Sequence, residues 1–338
     1  MRILYLRPAN IQNPRHPGKD SPLFREIAKL GELTDIPQDP GMSEAELAEL
    51  IRDYDVLLTM WKSQPVPVEL AQNPGRLKYI CNITGEMRKW VPQEIVDSPH
   101  ITVTNWGDAP AFTVAEGAMS LLMACMKSLP LHWHSQTQGN LKAPEGLFPA
   151  SLYKLPVGIY GMGVIGRAFV KMLEPFQPEI LAYDPYVDEM PEGVEKVSSL
   201  EGLFRRSKAI VVHAGLSAET HHSVSRELLA LLPDHAIVVN TARGGILDQE
   251  ALLDEVLSGR LRAALDVLEG DDTLAADHPA RQCPNLLLTS HAISNDLWSF
   301  DPQQLDRKGL NCIDNLKRFA EGKPLRFVMT PERYRIST

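Results

Sequence analysis

The chain has 338 residues, with 34 Lys plus Arg against 43 Asp plus Glu, a formal net charge of −9, and 44% hydrophobic residues. That length suits about two domains, and the apolar share is ample for their cores. The acidic balance argues against general nucleic-acid binding, which needs basic surface to neutralise phosphates.

The first element reads as a strand, Ile3 to Leu6, and its few apolar residues between Arg2 and Arg7 are too few for a signal peptide. Val56–Thr59, Tyr79–Ile83 and Ile101–Thr104 read as three more strands. SEAELAELIRD (43–53) reads as an amphipathic helix, with Ser43 and Glu46 spaced as a capping box. Strands separated by helices imply a parallel sheet covered on both faces.

NWGDAPAF (105–112) is turn-rich. TVAEGAMSLLMACMKSL then predicts an almost wholly apolar helix, with Thr113 and Glu116 again spaced as a capping box. A helix apolar all round is expected to be buried, and its apolar stretch 117–126 is too short to cross a bilayer. The segment 130–156 is polar, holds four prolines and reads as an irregular connection or interface arm. Cys81, Cys125, Cys283 and Cys312 form no CxxC pair, which suits a reduced, cytoplasmic chain with thiols filling the core.

From Val157 the alternation is regular. VGIYG, EILAYD, AIVVHA, AIVVNT, AALDV and LLLTS read as six strands with helices between the early ones, the doubly wound dinucleotide-binding pattern. RAFVKMLEPF and QEALLDEVLSG are two of those helices, the second stopped by Gly259. A polar helix, QQLDRKGLNCIDNLKRFAEG, comes after Trp298 and stops at Gly322 and Pro324. The residues after Gly322 are too few for another folded module.

Gly161, Gly163 and Gly166 form GxGxxG between a strand and a helix. Gly161 permits the tight turn, Gly163 lets backbone approach a pyrophosphate, and Gly166 lets the helix pack closely. Asp184 ends the next strand, near the spacing of about 20 residues expected of a ribose-binding acid. A carboxylate there repels a 2′-phosphate, and Pro185 and Tyr186 supply no positive charge, so the expected cofactor is NAD.

NTARGGILD (240–248), ALDVLEGDD (264–272) and LLLTSHAISND (286–296) follow three later strands and supply Arg243, a run of acids and His291. An arginine to hold a carboxylate, a histidine to move a hydroxyl proton and an acid to orient the imidazole suit hydride transfer to or from a 2-hydroxy acid. HxH at His132 and His134, and the pair His221 and His222, bring no further ligands at metal-site spacing and read as solvated loop histidines.

Through VTNWGDAPAFTVAE, GIYGMGVIG, VVHAGLSAET, VVNTARGGILDQEAL, AALDVLEGD and NLLLTSH the chain resembles the D-isomer-specific 2-hydroxyacid dehydrogenases, a family that includes phosphoglycerate dehydrogenases and glyoxylate/hydroxypyruvate reductases. The resemblance implies two doubly wound parallel-sheet domains. A Rossmann NAD domain (105–296) is inserted in a flavodoxin-like substrate domain (1–104 plus 297–338). It implies Arg243 as the functional arginine and His291 as the proton-transfer histidine. It further implies NAD contacts at Val164, Ile165, Asp184, Gly215, Thr241, Ala242 and Asp266. The expected partner is a small 2-hydroxy or 2-keto acid, with no nucleic acid and no membrane. The expected assembly is a homodimer through the NAD domain, with the arm 132–148 contributing.

Three positions depart from the family pattern. The usual glutamate five residues after the strand aspartate is Asp271 here, with Asp272 beside it and Glu269 as an alternative acid. The substrate loop GxGxD is replaced by ITGEMRKWV, leaving Thr84, Gly85 and Glu86 to bind substrate, with Arg88, Lys89 and Lys62 as candidate partners for a second anionic group. Ser290 stands where proline commonly precedes the histidine. The departures leave a second reading open, an NAD(H)-sensing binding protein of the same fold.

Overall fold

The computed structural model describes residues 1–8, 21–139, 142, 144–270, 273–294 and 304–336; Asp271, Asp272 and Trp298 lie outside them. The chain forms two compact units, Met1–Pro110 with Asp296–Thr338, and Ala111–Asn295. The first crossing falls at Pro110, a few residues beyond the expected 104.

The first unit starts with β1 (Arg2–Arg7), α1 (Pro22–Ala28), β2 (Glu32–Pro37), α2 (Glu44–Arg52), β3 (Val56–Thr59), β4 (Tyr79–Asn82), α3 (Gln93–Val96) and β5 (Thr102–Thr104). The strands pair in parallel in the order β2-β1-β3-β4-β5, the flavodoxin-like order. Leu4, Leu57 and Ile80 face one apolar layer, while Ile3, Tyr5, Val56, Leu58 and Tyr79 face the other. Burial on both faces is why β1, β3 and β4 read as apolar runs. The strand β2 was not expected: it is an edge strand, half-buried, and ELTDIP carries no such run. The capping box of α2 forms as expected: the Ser43 N–H donates to Glu46 Oε2 at 2.9 Å, and the Glu46 N–H to Ser43 Oγ at 3.3 Å.

The second unit opens with α4 (Ala111–Met126) and α5 (Leu129–Thr137). The helix α4 begins before Thr113, so Thr113 and Glu116 lie inside it and do not form the expected capping box. Leu121, Leu122, Cys125 and Met126 sink into the unit's core. The first part of the expected irregular arm is α5, set off from α4 by Ser128 in the left-handed region and bent from it by 62°. Among the described residues no single helix is long and apolar enough to cross a membrane, though this bent pair passes by length and composition.

There follow β6 (Pro156–Tyr160), α6 (Val164–Leu173), β7 (Glu179–Tyr183), β8 (Val194–Lys196), α7 (Leu200–Arg206), β9 (Ala209–Val212), α8 (Arg226–Leu231), β10 (Ile237–Asn240), α9 (Gln249–Leu257), β11 (Arg262–Leu265) and β12 (Leu286–Leu288). They build a parallel sheet in the order β12-β11-β10-β9-β6-β7-β8. Its strands number seven, not the expected six, because the short exposed edge strand β8 has no apolar signature. Arg262 anchors the rest of the arm. Its buried guanidinium donates to the carbonyls of Cys125 (2.8 Å), Phe148 (2.9 Å) and His235 (2.8 Å), and burial holds its pKa below the usual arginine value.

The chain then returns to the first unit with α10 (Arg307–Ala320) and α11 (Pro331–Ile336). Asp306 caps α10, and Gly322, at φ +65, follows its end. Cys312 on α10 and Cys81 on β4 meet in the core as free thiols, sulfur to sulfur 3.5 Å.

Candidate active site

In the second unit the chain winds from β6 to β7 and β8 on one side, then through β9 to β12 on the other. Such a reversal opens a crevice at the carboxyl ends of the strands, where open α/β sheets bind ligands. The glycine turn lies there. Gly161 has φ +97, and a Cβ on it would stand 2.5 Å from the Ala214 nitrogen. A Cβ on Gly166 would overlap the Gly161 carbonyl oxygen, whereas one on Gly163 would meet nothing within 4 Å. Gly161 and Gly166 thus serve close packing, and Gly163 leaves open space over the start of α6. Val164, the first residue of that helix, is 54% exposed. Asp184 leaves β7 beside the turn: it accepts from the Met162 N–H at 2.8 Å and the Tyr186 N–H at 2.9 Å.

Two buried polar side chains at the next strand ends have no hydrogen-bond partner among the described residues: His213, through both ring nitrogens, and Thr241, through Oγ1. Burial pushes His213 down to about 3, so the ring is neutral. It packs on Phe169, centroids 5.1 Å apart. Gly215, two residues on, is exposed.

Arg243, Asp266 and His291 follow β10, β11 and β12, three neighbours in the sheet. Asn240, at the end of β10, accepts from the Ala242 N–H and donates to the Arg243 carbonyl, both at 2.9 Å. It thereby sets the turn that presents Arg243, whose half-buried guanidinium donates to the Ala242 carbonyl at 2.8 Å. Gly244 allows this turn to touch the next one, since a Cβ there would overlap the Leu268 carbonyl.

Asp266 is 3% exposed. Its Oδ1 accepts from Thr289 Oγ1 (2.5 Å), the Ala292 N–H (3.1 Å) and the Ile293 N–H (3.2 Å). Its carbonyl accepts from the His291 N–H at 2.7 Å. One residue at the end of β11 therefore fixes the turn carrying His291, which is itself exposed and at φ +52. The resemblance implied only a cofactor contact for Asp266. Asp271 lies outside the described residues, and the alternative acid Glu269 turns to His222, with Nε2 at 2.9 Å.

The first unit carries the altered loop at the end of β4. Asn82 organises it, donating to the carbonyls of Thr84 (2.6 Å) and Glu86 (3.2 Å) while accepting from Trp90 Nε1 (2.9 Å). Gly85 lies against the Trp106 indole, leaving no room for a Cβ. The N–H groups of Thr84, Gly85 and Glu86 donate to no acceptor among the described residues. Arg88 is committed elsewhere: it donates to the Tyr334 carbonyl at 2.7 Å and the Arg335 carbonyl at 2.6 Å on α11. Lys89 pairs with Glu86 at 3.5 Å. Lys62 is exposed, at φ +66. Of the three basic residues expected to read a second charge, two already have structural partners.

The NAD-binding domain profile of the D-isomer specific 2-hydroxyacid dehydrogenases matches residues 119–292. The chain belongs to this family. It is 33% identical over 277 residues to D-3-phosphoglycerate dehydrogenase of Methanocaldococcus jannaschii, covering 80% of this chain and 52% of that protein. It is 34% identical over 229 residues to hydroxypyruvate reductase of Thermotoga maritima, covering 68% of this chain and 74% of that protein. The chain spans about half the length of the phosphoglycerate dehydrogenases it matches. In fold it is similar to the NAD-complexed D-isomer specific 2-hydroxyacid dehydrogenase from Lactobacillus delbrueckii ssp. bulgaricus, with TM-score 0.76, 18% identity, and coverage of 98% and 100% of the two chains.

The crevice of this dehydrogenase-family chain fits the dinucleotide that the matched domain binds. Open space over Gly163, an uncovered Val164 and the buried Thr241 hydroxyl without a partner are features a bound dinucleotide would cover or satisfy. The first N–H groups of α6 offer partial positive charge to its phosphates.

Proposed function

We propose that the protein is an NAD-dependent oxidoreductase interconverting a D-2-hydroxy acid and its 2-keto acid. The row of Arg243, Asp266 and His291 at the ends of three adjacent strands, in a sheet with a dinucleotide crevice, supports this reading most. NADH, when bound, supplies the hydride. Arg243 holds the substrate carboxylate and polarises the keto oxygen with a permanently charged, forked donor set. His291 gives a proton to that oxygen in reduction and takes it back in oxidation. Asp271 orients the imidazole, and the unengaged N–H groups of Thr84, Gly85 and Glu86 bind carboxylate. Asp184 selects NAD, because its carboxylate accepts from a ribose hydroxyl and repels a 2′-phosphate. The free thiols suit the cytoplasm.

The test is NADH oxidation with glyoxylate, hydroxypyruvate, phosphohydroxypyruvate and pyruvate, with NADPH as the parallel donor. Turnover of at least one acid, faster with NADH, is expected. NADH binding seen by fluorescence, with no acid of a broad panel reduced, would overturn the enzymatic reading in favour of an NAD(H) sensor.

The proposed assembly is a homodimer. Leu129 and Trp133 on α5 are 53% and 74% exposed. They line a groove of about 570 Å³ with Ala124, Cys283 and Leu287. Apolar exposure of this kind marks an interaction surface, and a second copy is the occupant that the family resemblance favours. Sedimentation at micromolar concentration is expected to show a dimer, weakened by Trp133→Glu. A monomeric wild type would refute it.

A further inference from the structure

We infer that His221, His222 and Glu269 form a binding site for a divalent transition-metal ion of the zinc class. The three residues leave two different strands, His221 and His222 in the loop after β9 and Glu269 after β11. Their nitrogen and oxygen ligand atoms all lie within 4.8 Å of one another.

The backbone accounts for the convergence. Consecutive side chains ordinarily diverge, but His222 is at φ +49, and the two rings stack with centroids 4.0 Å apart. The His221 N–H is held by the Ser217 carbonyl at 3.0 Å and the His222 N–H by the Gly245 carbonyl at 2.8 Å. The Glu269 N–H donates to Gln249 Oε1 at 2.9 Å. Each ligand therefore hangs from an anchored backbone.

The distances from the carboxylate oxygen to the two imidazole nitrogens are close to what a tetrahedral ion requires, and the stacked rings must swing apart to aim both nitrogens at it. Bonds of 2.0–2.2 Å to nitrogen and oxygen place two ligand atoms roughly 3.3–3.5 Å apart. His221 Nε2 and Glu269 Oε1 are already 3.4 Å apart. His222 Nε2 lies 2.9 Å from the same oxygen and must retreat by about half an ångström. The side chains are 52%, 45% and 39% exposed, so that movement is available and water can fill the remaining position. Two imidazoles and one carboxylate suit zinc, nickel or copper, whereas magnesium and calcium prefer all-oxygen shells.

The site also touches the candidate active site. The His221 ring lies over Gly245, where a Cβ would stand 3.5 Å from it, and Gly245 belongs to the turn that presents Arg243. A bound ion would tie the loop after β9 to the segment after β11, with that turn held by both.

The experiment is calorimetric titration of the chelator-treated full chain with ZnCl2, and separately with MgCl2. It is run for wild type, His221→Ala, His222→Ala and Glu269→Gln, with circular dichroism melting of each. One Zn2+ per chain is expected, with no Mg2+ binding, a rise in Tm with Zn2+, and affinity weakened at least about tenfold in each folded variant. Co2+ in place of Zn2+ should give visible absorption bands that disappear in the variants. Wild type that takes up no stoichiometric Zn2+ overturns the proposal, leaving a histidine–carboxylate hydrogen bond. Equal Zn2+ affinity in wild type and the folded variants also overturns it, because the ion then sits elsewhere.

Discussion

Replacing His291 by alanine is expected to lower kcat by roughly 10²–10⁴-fold while leaving NADH binding nearly unchanged. That range corresponds to about 3–5 kcal/mol of lost transition-state stabilisation. The histidine sits in an exposed turn at φ +52, and its backbone N–H, not its ring, makes the bond to the Asp266 carbonyl. Truncation therefore removes the imidazole without emptying a core. Alanine is less content than histidine with a left-handed backbone, so His291→Asn is the companion variant, because asparagine adopts that region readily. Both variants should fall together in kcat, measured with the best keto acid of the panel. Full turnover in either would remove His291 from the chemistry.

Asp266→Ala is expected to cost about 2–4 kcal/mol of stability, because three donors that Asp266 Oδ1 satisfies lose a buried acceptor. For a cooperative unit the size of Ala111–Asn295 that is a fall in Tm of roughly 5–15 °C. Activity should drop as well, since the same three bonds hold the turn that carries His291. Asp266→Asn keeps an oxygen at the Oδ1 position. It should recover most of the Tm, with turnover recovering in proportion to how well the turn is rebuilt. Thermal melting beside steady-state kinetics reads both effects. An alanine variant with unchanged Tm and kcat would show that Asp266 does not position His291.

Much of the architecture is legible in the sequence. Strands buried on both faces, such as β1, β4 and β9, appear as largely apolar runs because a polar side chain facing either layer needs a hydrogen-bond partner there, as Asn82 has. The glycine turn and Asp184 were readable because each residue answers to a local backbone or charge requirement. The edge strands β2 and β8 were not, because one side of each is open and water tolerates their polar side chains. The start of α4 is not legible either: Thr113 and Glu116 match a capping pattern, but the helix already runs from Ala111. Arg88 illustrates the limit on side chains. Its charge suggested substrate recognition, and its partners are carbonyls 246 and 247 residues away on α11.

The sequence by itself determined the family, the two parallel-sheet architecture, the dinucleotide turn and the order in which Arg243, the acids and His291 follow their strands. These depend on spacings of a few residues, where the periodicity of side chains and the needs of turns and caps act directly. Only the tertiary structure decided what those residues touch. It placed Asp266 under the turn of His291, Asn240 under that of Arg243, and Glu269 against a histidine pair 47 residues away. The reason is the lateral order of the strands: side chains far apart in sequence meet only where β9 to β12 lie side by side, and no local pattern encodes which strand ends become neighbours.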